Sequence, residues 1–316
     1  MALKIAVLGA GDHSQRNHLP ALAEYARQNP GAVELSALCD LRFDLAQAAA
    51  EQYGFLTAFP DLESMLSYAH WDACVAVTPV SATATIARRI LQAGVPLLME
   101  KPPGSTPQEA HELADLARRL DVPVMVSMNR RFDPALQAGL TWMGGRRAVY
   151  VRATQARHAR REPEFITDTA IHALDALRFI AGEVRSWQAH TRQVAGVSWY
   201  AVSLEFENGA AGCLEVLPDT GHTVEQYELF GDGFHVQIRA GGVDAGETTA
   251  WQDGKLVFQA HPALGKPEFV ANGCLAETTS FIENLIQSRP FQPALAQVLD
   301  SVNLCHQIKK IVLRES

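Results

Sequence analysis

Short apolar runs alternate with longer helical patterns in the first part of the chain, from Leu3 to about Phe132. The runs are nearly continuously apolar and read KIAVLG, VELSALCD, DACVAVTP, VPLLMEKP and PVMVSMN. Continuous apolar runs are typical of strands that helices cover on both faces. Their alternation with helical patterns of ten or more residues predicts βαβ units that build a parallel sheet.

The pattern changes after Gly144-Gly145, where strands of period two are joined by short turns. Three pairs of such strands flank turn sequences that are typical of hairpins, namely Asn208-Gly209, Gly231-Asp232-Gly233 and Asp253-Gly254. We expect helices at Thr169–Ala181, at Leu275–Gln287 and from Pro293 to Val312. The predicted fold class is α/β: a doubly wound parallel sheet, followed by an α+β domain with a large, mostly antiparallel open sheet.

Composition narrows the possible partners. The chain has 316 residues with 27 Lys and Arg against 35 Asp and Glu, so its net charge of −8 provides no basic surplus for nucleic acid. No apolar run approaches the roughly 18 to 20 residues of a membrane span. Its five cysteines are odd in number and never lie in a C-x-x-C spacing, which indicates reduced thiols and a cytoplasmic protein.

The first strand leads directly into Gly9-Ala10-Gly11-Asp12-His13-Ser14, a G-x-G-x-x-S form of the dinucleotide-binding motif. Gly9 permits a tight turn and Gly11 permits close approach of a pyrophosphate, which the next helix N-terminus attracts. Ser14 replaces the third glycine and is small enough to pack there. The alternative is an ordinary glycine-rich turn without a ligand.

Asp40 ends the second strand, where an acidic side chain of a dinucleotide fold binds the adenosine ribose hydroxyls. A 2′-phosphate near Asp40 would meet like charge, so NAD is favoured. NADP stays possible because Arg42, two residues on, could pair with that phosphate. Alternatively, Asp40 is the N-cap of a helix over Leu41–Tyr53.

Lys101 follows the strand VPLLMEKP, at the carboxyl end where open α/β sheets bind ligands. Its ammonium could polarise a carbonyl or stabilise an alkoxide during hydride transfer. Glu100 and Lys101 could instead form an ordinary surface pair.

Asp168 and His172 are four residues apart at the start of a predicted helix, hence on one face. An imidazole there could act as a general base. Alternatively, Asp168 is only the N-cap and His172 is structural. We expect no metal site, because Asp168, His172 and His158 lack a specific ligand spacing.

Together these residues resemble the Gfo/Idh/MocA family, named for glucose-fructose oxidoreductase and inositol dehydrogenase. The matching segments cover most of the chain: IAVLGAGDHS, HLPAL, CDLR, Thr78-Pro79, AGVPLLMEKP, NRRFDP from Asn129, and D-x-x-x-H at Asp168 and His172. Two departures are Ser14 and Thr83, the latter lying where many members carry histidine.

The resemblance implies a Rossmann domain at residues 1–125 and a substrate and oligomerisation domain at 126–316, whose last helix could pack back on the first domain. The implied chemistry is NAD(P)-dependent oxidation or reduction of a sugar, polyol or related alcohol or ketone. Lys101 would polarise the reacting oxygen, His172 would exchange its proton and Asp168 would position substrate. The implied cofactor-binding residues are Gly9, Gly11, Asp12, His13, Ser14, Asp40, Arg42, Thr78, Pro79, Glu100, Lys101 and Asn129.

Alternative functions are a dinucleotide-binding sensor without catalysis and a metal-dependent hydrolase using Asp168 and His172. We assign no catalytic role to His13 or His18, which we expect in a loop and on a helix surface. An open sheet with an apolar outer face predicts a homodimer or homotetramer. Acidic substrates stay possible because Arg130, Arg131, Arg157, Arg160 and Arg161 could line the site.

Overall fold

The computed structural model describes residues 2–240 and 246–314. The strands in these ranges are Leu3–Leu8 (β1), Val33–Cys39 (β2), Thr57–Phe59 (β3), Ala73–Ala76 (β4), Leu97–Met99 (β5), Val124–Val126 (β6), Tyr150–Ala156 (β7), Val184–Val194 (β8), Val197–Phe206 (β9), Ala211–Leu217 (β10), Val224–Gly231 (β11), Phe234–Arg239 (β12), Glu247–Gln252 (β13) and Lys255–Ala260 (β14).

The α-helices in the same ranges are Leu19–Gln28 (α1), Phe43–Tyr53 (α2), Leu62–Tyr68 (α3), Val80–Gln92 (α4), Pro107–Leu120 (α5), Pro134–Met143 (α6), Ile171–Ala181 (α7), Glu268–Ala271 (α8), Cys274–Ile286 (α9) and Leu295–Arg314 (α10). Two π-helical segments, Ser14–His18 and Ile166–Ala170, precede α1 and α7, and Asn129–Phe132 forms a 3₁₀ turn. None of the helices described is long and apolar enough to cross a membrane.

The first sheet has six strands in the order β3-β2-β1-β4-β5-β6, and all its pairings are parallel. The predicted doubly wound parallel sheet is therefore confirmed. The chain order reverses between β1 and β4, and such reversal points are where open α/β sheets bind ligands. Strand β3, Thr57–Phe59, was missed, because it is not part of any of the five apolar runs.

The second sheet has eight strands in the order β14-β13-β12-β11-β7-β10-β9-β8. Its pairings are antiparallel except between β7 and β10, and the three predicted hairpins are present. This confirms the predicted, mostly antiparallel sheet. Helices α6 and α7 pack against one of its faces.

The opposite face of this sheet carries an aromatic row across four strands. Phe230 stacks on His235 with ring centroids 4.3 Å apart, His235 stacks on Trp251 at 5.1 Å, and Tyr150 lies 6.1 Å from Phe230. The expectation of an apolar outer face needs correction, because the Arg152–Glu228 ion pair lies on the same face beside these rings.

The chain forms two compact units. One unit contains the chain up to Ser127 together with Cys274–Leu299, and the other contains Met128–Gly273 together with the chain from Asp300. The parallel sheet belongs to the first unit and the antiparallel sheet to the second.

A buried ion pair fixes α7 within the second unit. Asp175 on α7 accepts two hydrogen bonds from Arg131, at 2.7 and 2.8 Å, and a third from Ser301 of α10 at 3.0 Å. Only 1 % of the Asp175 side chain is exposed. Because a buried carboxylate requires such partners, this contact holds α7 against the 3₁₀ turn and α10.

We expect Asp175→Asn to lower the free energy of unfolding by about 3 to 5 kcal/mol, since it leaves the buried Arg131 guanidinium without its counter-charge. Urea unfolding measures this change. The matched control is Glu205→Gln, which breaks the exposed pair with Arg185 and should change stability little. Equal effects of the two variants would contradict this assignment.

Candidate nucleotide-binding and catalytic site

The loop after β1 requires glycine at its first position. Gly9 has φ +101°, and a Cβ there would lie 2.0 Å from the carbonyl oxygen of Val77. The Gly9 N–H donates to Cys39 O at 2.7 Å and the Val77 N–H donates to Leu8 O at 2.7 Å. The fold itself therefore demands glycine at Gly9, where β1 meets its two neighbouring strands.

Gly11 differs from Gly9 because the chain leaves space for a side chain. A Cβ at Gly11 would contact only a guanidinium nitrogen of Arg42, at 3.6 Å. Packing of the protein therefore does not explain this glycine. The predicted role of Gly11, close approach of a ligand to the backbone, stays a prediction that this open space permits.

Ser14 lies at the third position of the motif and is fully buried. Its hydroxyl has no hydrogen-bond partner among the described residues, although the residue lines a cavity at this loop. A small side chain at this position allows the helix to pack closely, as the third glycine of the motif would. The orphaned hydroxyl is a donor that a bound phosphate could satisfy.

Hydrogen bonds connect Asp40 to the glycine loop, which is the motif segment of residues 9–14 after β1. Its two carboxylate oxygens accept from the backbone N–H of Ala10 at 2.8 Å and of Arg42 at 2.9 Å. The Arg42 guanidinium lies 3.5 Å from the same carboxylate. The N-cap alternative for Asp40 is wrong, because α2 begins at Phe43 and Arg42 is its N-cap residue.

Two cavities surround the glycine loop in the first unit. One, of about 600 Å³, is mostly apolar and is lined by Leu8, Gly9, Gly11, Cys39, Asp40, Leu41, Arg42, Leu62, Val77, Thr78, Pro79, Ala82 and Ile86. The other, of about 360 Å³, is lined by Gly11, Asp12, His13, Ser14, Val77, Thr78, Pro79, Val80, Glu100 and Lys101. The structure thus brings together all the predicted cofactor-binding residues except Asn129.

Thr83 supports the loop that follows β4. Its hydroxyl donates to Pro79 O at 3.0 Å and lies 3.1 Å from the Thr78 hydroxyl. Thr83 is buried, so it positions Thr78 from behind the cavity. The sequence identified Thr83 as a departure from the family pattern but did not indicate its hydrogen bonds to Pro79 and Thr78.

Glu100 is buried and is engaged by two histidines. His13 Nε2 lies 3.0 Å and His18 Nε2 lies 2.7 Å from the same carboxylate oxygen. Burial alone would raise the pKa of Glu100, but the hydrogen bonds from both histidines hold it well below its ordinary value. The expectation that His18 lies on a helix surface is wrong, because only 2 % of its side chain is exposed. His13 is exposed, but the expectation that it lies in a loop is wrong, because its backbone is helical at the start of the segment Ser14–His18.

Lys101 comes directly after Glu100, beyond the carboxyl end of β5, and lines the smaller cavity. The peptide bond between Lys101 and Pro102 is cis. The predicted position of this lysine at the ligand-binding end of the parallel sheet is therefore observed.

Asp168 and His172 lie in the second unit, at the start of α7. Asp168 belongs to the π-helical segment Ile166–Ala170, accepts a hydrogen bond from the Thr167 hydroxyl and is half-buried. The N-cap alternative for Asp168 is wrong, because Ala170 is the N-cap residue of α7. His172 is half-buried on the first turn of the helix.

A buried charge network lies near His172 and was missed from the sequence. Glu225 accepts hydrogen bonds from Arg130 at 2.5 and 3.0 Å, from Arg157, and from the Tyr227 hydroxyl at 3.0 Å. Burial raises the pKa of Glu225, but Arg130 and Arg157 lower it well below its ordinary value, and His172 contributes in the same direction. Glu225 lies on the same face of β11 as the buried residues Tyr227 and Leu229, because the three positions are two residues apart. This spacing was the signal in the sequence for a buried charge.

Asn129 also belongs to the second unit. Its amide donates to Asn272 O at 3.0 Å and accepts from Arg130 at 3.3 Å. It is therefore joined to the Glu225 network, and the glycine-loop cavities do not include it.

The five arginines that could have bound an acidic substrate are each paired with a carboxylate. Arg130 and Arg157 bind Glu225, Arg131 binds Asp175, Arg160 binds Glu162 and Arg161 binds Asp219.

Comparison with known families agrees with this arrangement. Residues 3–128 match the model of an oxidoreductase family with an NAD-binding Rossmann fold, and residues 127–235 match the GFO/IDH/MocA C-terminal domain. The chain belongs to the Gfo/Idh/MocA oxidoreductase family. The family resemblance seen in the sequence motifs is confirmed.

Among characterised relatives, the chain is 30 % identical over 229 residues to D-apiose dehydrogenase of Paraburkholderia graminis, covering 67 % of this chain and 60 % of the relative. It is 28 % identical over 238 residues to D-glucoside 3-dehydrogenase of Escherichia coli, covering 67 % and 66 %. The chain thus spans about 60 to 66 % of the length of these two relatives. A dehydrogenase structure from Chromobacterium violaceum has the same fold, with a TM-score of 0.86 at 20 % identity over 98 % of this chain and 95 % of that one.

The two loop glycines should respond differently to substitution. Gly9→Ala should lower the free energy of unfolding by about 1 to 3 kcal/mol from backbone strain alone. Gly11→Ala should leave stability nearly unchanged while raising the Kd of NADH about tenfold or more, which corresponds to about 1.4 kcal/mol. Thermal unfolding and NADH fluorescence titration measure the two effects. Unchanged NADH affinity in Gly11→Ala would contradict the ligand explanation for this glycine.

Proposed function

We propose that this chain is an NAD-dependent oxidoreductase that transfers hydride between the nicotinamide and a hydroxyl or carbonyl carbon of a sugar or polyol. The observation that carries the proposal is that Lys101 and the glycine loop line the same cavity, the one of about 360 Å³. The dehydrogenases to which the chain is similar act on D-apiose and D-glucosides, which are both sugar compounds.

The proposed chemistry assigns one role to each of three side chains. NAD bound at the glycine loop would supply the hydride acceptor for oxidation of an alcohol. Lys101 would donate a hydrogen bond to the reacting oxygen and so stabilise negative charge as it develops there. His172 would take the hydroxyl proton, and Asp168 would orient substrate relative to this imidazole. In the reduction direction His172 returns that proton.

Residues 1–125 would then serve for nucleotide binding and residues 126–316 for substrate binding and oligomerisation, although Cys274–Leu299 of the second range belongs to the first compact unit. Asp12, His13, Ser14, Thr78, Pro79 and Glu100 would surround the cofactor's charged centre. The role of Asn129 in cofactor binding stays a prediction from the family resemblance. The paired state of the five arginines favours a neutral sugar or polyol over an acidic substrate. The free cysteines accord with a cytoplasmic location.

Substitution of Lys101 or His172 tests the catalytic assignment. Lys101→Ala and His172→Ala should each lower kcat about 10² to 10⁴-fold on the best substrate found in a sugar and polyol panel. Lys266→Ala and His261→Ala are matched controls on exposed residues. His172→Ala should still bind NADH. Wild-type protein that binds NADH but oxidises nothing in the panel would indicate a dinucleotide-binding sensor.

Asp40 should set the preference for NAD over NADP. Its carboxylate would accept hydrogen bonds from ribose hydroxyls and repel a 2′-phosphate by about 1 to 4 kcal/mol, while its pairing with Arg42 limits the pull of that guanidinium on the phosphate. We expect NADH to bind more tightly than NADPH, and Asp40→Ala to reduce the difference. Calorimetric titration with both nucleotides measures it. Tighter NADPH binding by the wild type would assign the choice to Arg42.

We further propose that the outer face of the second sheet forms the interface of a homodimer or homotetramer. The row of Tyr150, Phe230, His235 and Trp251 provides apolar area, and the adjoining Arg152–Glu228 pair provides polar contacts. Light scattering should give a multiple of 34.5 kDa. Trp251→Glu should shift the protein towards the monomer, and a wild-type monomer at micromolar concentration would contradict the proposal.

A further inference from the structure

Three metal-ligating side chains converge at the start of the first helical segment. His13 Nε2 and His18 Nε2 lie 3.0 and 2.7 Å from Glu100 Oε1. The three ligand atoms all lie within 4.8 Å of one another. The dehydrogenase chemistry proposed above requires neither imidazole as an acid or base.

The π-helical segment brings these two histidines to one side. Residues five apart on a regular α-helix differ in direction by about 140°, because each residue turns the helix by about 100°. The segment Ser14–His18 begins directly after His13 and has a wider turn, so both rings reach the same carboxylate oxygen. Their ring centroids are 5.7 Å apart at an interplanar angle of 67°.

Both imidazoles have a contact on the nitrogen that faces away from Glu100. His13 Nδ1 lies 3.2 Å from the side-chain amide of Asn17, and His18 Nδ1 lies 3.9 Å from Cys274 Sγ. Metal-bound histidines characteristically have such a partner on the second nitrogen, which fixes the ring orientation. The same Asn17 amide donates to His13 O at 3.3 Å, which holds it beside this ring.

Burial gives the cluster a closed side and an open side. The exposed side-chain fractions are 2 % for His18 and 10 % for Glu100, against 58 % for His13. The protein interior therefore holds His18 and Glu100 in place. His13 faces the cavity of about 360 Å³, which Glu100 and Lys101 also line. A metal ion here would keep a position for water.

We propose that His13, His18 and Glu100 bind a divalent transition-metal ion of the zinc type. Two imidazoles and one carboxylate are a donor set that Zn²⁺ accepts, with bonds of about 2.0 to 2.2 Å and ligand atoms about 3.3 to 3.4 Å apart in a tetrahedron. The observed contacts of 3.0 and 2.7 Å need to open by only about 0.3 to 0.7 Å. The ion would replace the protons that now connect the histidines to the buried carboxylate.

The alternative ligand set is on the other side of His18. His18, Cys274 and Glu277 also place ligand atoms within 4.8 Å of one another, but all three are buried. The set with His13 instead opens onto the cavity of about 360 Å³, through which an ion can reach it. The set of His13, His18 and Glu100 is therefore favoured over the fully buried set.

Metal titration of the full chain tests the proposal without cofactor or substrate. Protein stripped with a chelator and returned to chelator-free buffer is titrated with ZnCl₂ by calorimetry and with CoCl₂ by visible absorption. We expect one ion per chain and a Co²⁺ spectrum without a thiolate charge-transfer band. His13→Ala, which alters an exposed side chain, should weaken Zn²⁺ binding about tenfold or more. His70→Ala, which removes another exposed histidine of the same unit, should bind as wild type does.

Two results would overturn the proposal. One is wild-type affinity for Zn²⁺ equal to that of His13→Ala. The other is binding that persists in His13→Ala and disappears in Cys274→Ser, which would assign the metal to the buried set. Because the readout is metal binding alone, an inactive dehydrogenase would not affect this conclusion.

Discussion

The glycine loop depends on the close approach of the end of β1 to the end of β4 at Gly9. Leu8 O accepts from the Val77 N–H while the Gly9 N–H donates to Cys39 O, so the end of β1 is joined to both neighbouring strands. A Cβ at Gly9 would lie 2.0 Å from Val77 O, and the strands would have to separate. The cavities that Gly11, Thr78 and Lys101 line lie beside Val77 at this contact.

Buried carboxylates organise the polar residues of each unit. Glu100 fixes two histidines in the first unit, while Asp175 and Glu225 fix arginines in the second. A buried carboxylate is costly unless cationic donors surround it, so each one constrains several side chains at once. His172 lies close enough to Glu225 to influence its pKa, so this buried charge also acts on the start of α7.

The sequence was sufficient for the sheets because their signals are local. Continuous apolar runs predicted the parallel strands, and turn residues such as Asn208-Gly209 predicted the hairpins. The positions of Asp40 and Lys101 followed from where the strands end. The contacts of His18 and Glu225 could not be predicted, because their partners lie 82 and 95 residues away in the chain, at Glu100 and Arg130. Periodicity in the sequence shows which face of a helix or strand is buried. Which side chains pair across 80 or more residues depends on how the whole chain folds.

The glycine loop and the start of α7 are each joined to a π-helical segment, and neither segment was predicted from the sequence. Ser14–His18 follows the glycine loop, and Ile166–Ala170 contains Asp168. A π-helical turn is less stable than an α-helical one, so it persists only where its contacts offset the cost. At Ser14–His18 the hydrogen bonds of His13 and His18 to one buried carboxylate oxygen provide that offset. Relaxation to a regular α-helix would turn one histidine away and leave Glu100 with a single donor. The π-helical turn and the buried charge of Glu100 therefore stabilise each other, and substitution of Glu100 should affect the helix before it affects the sheet.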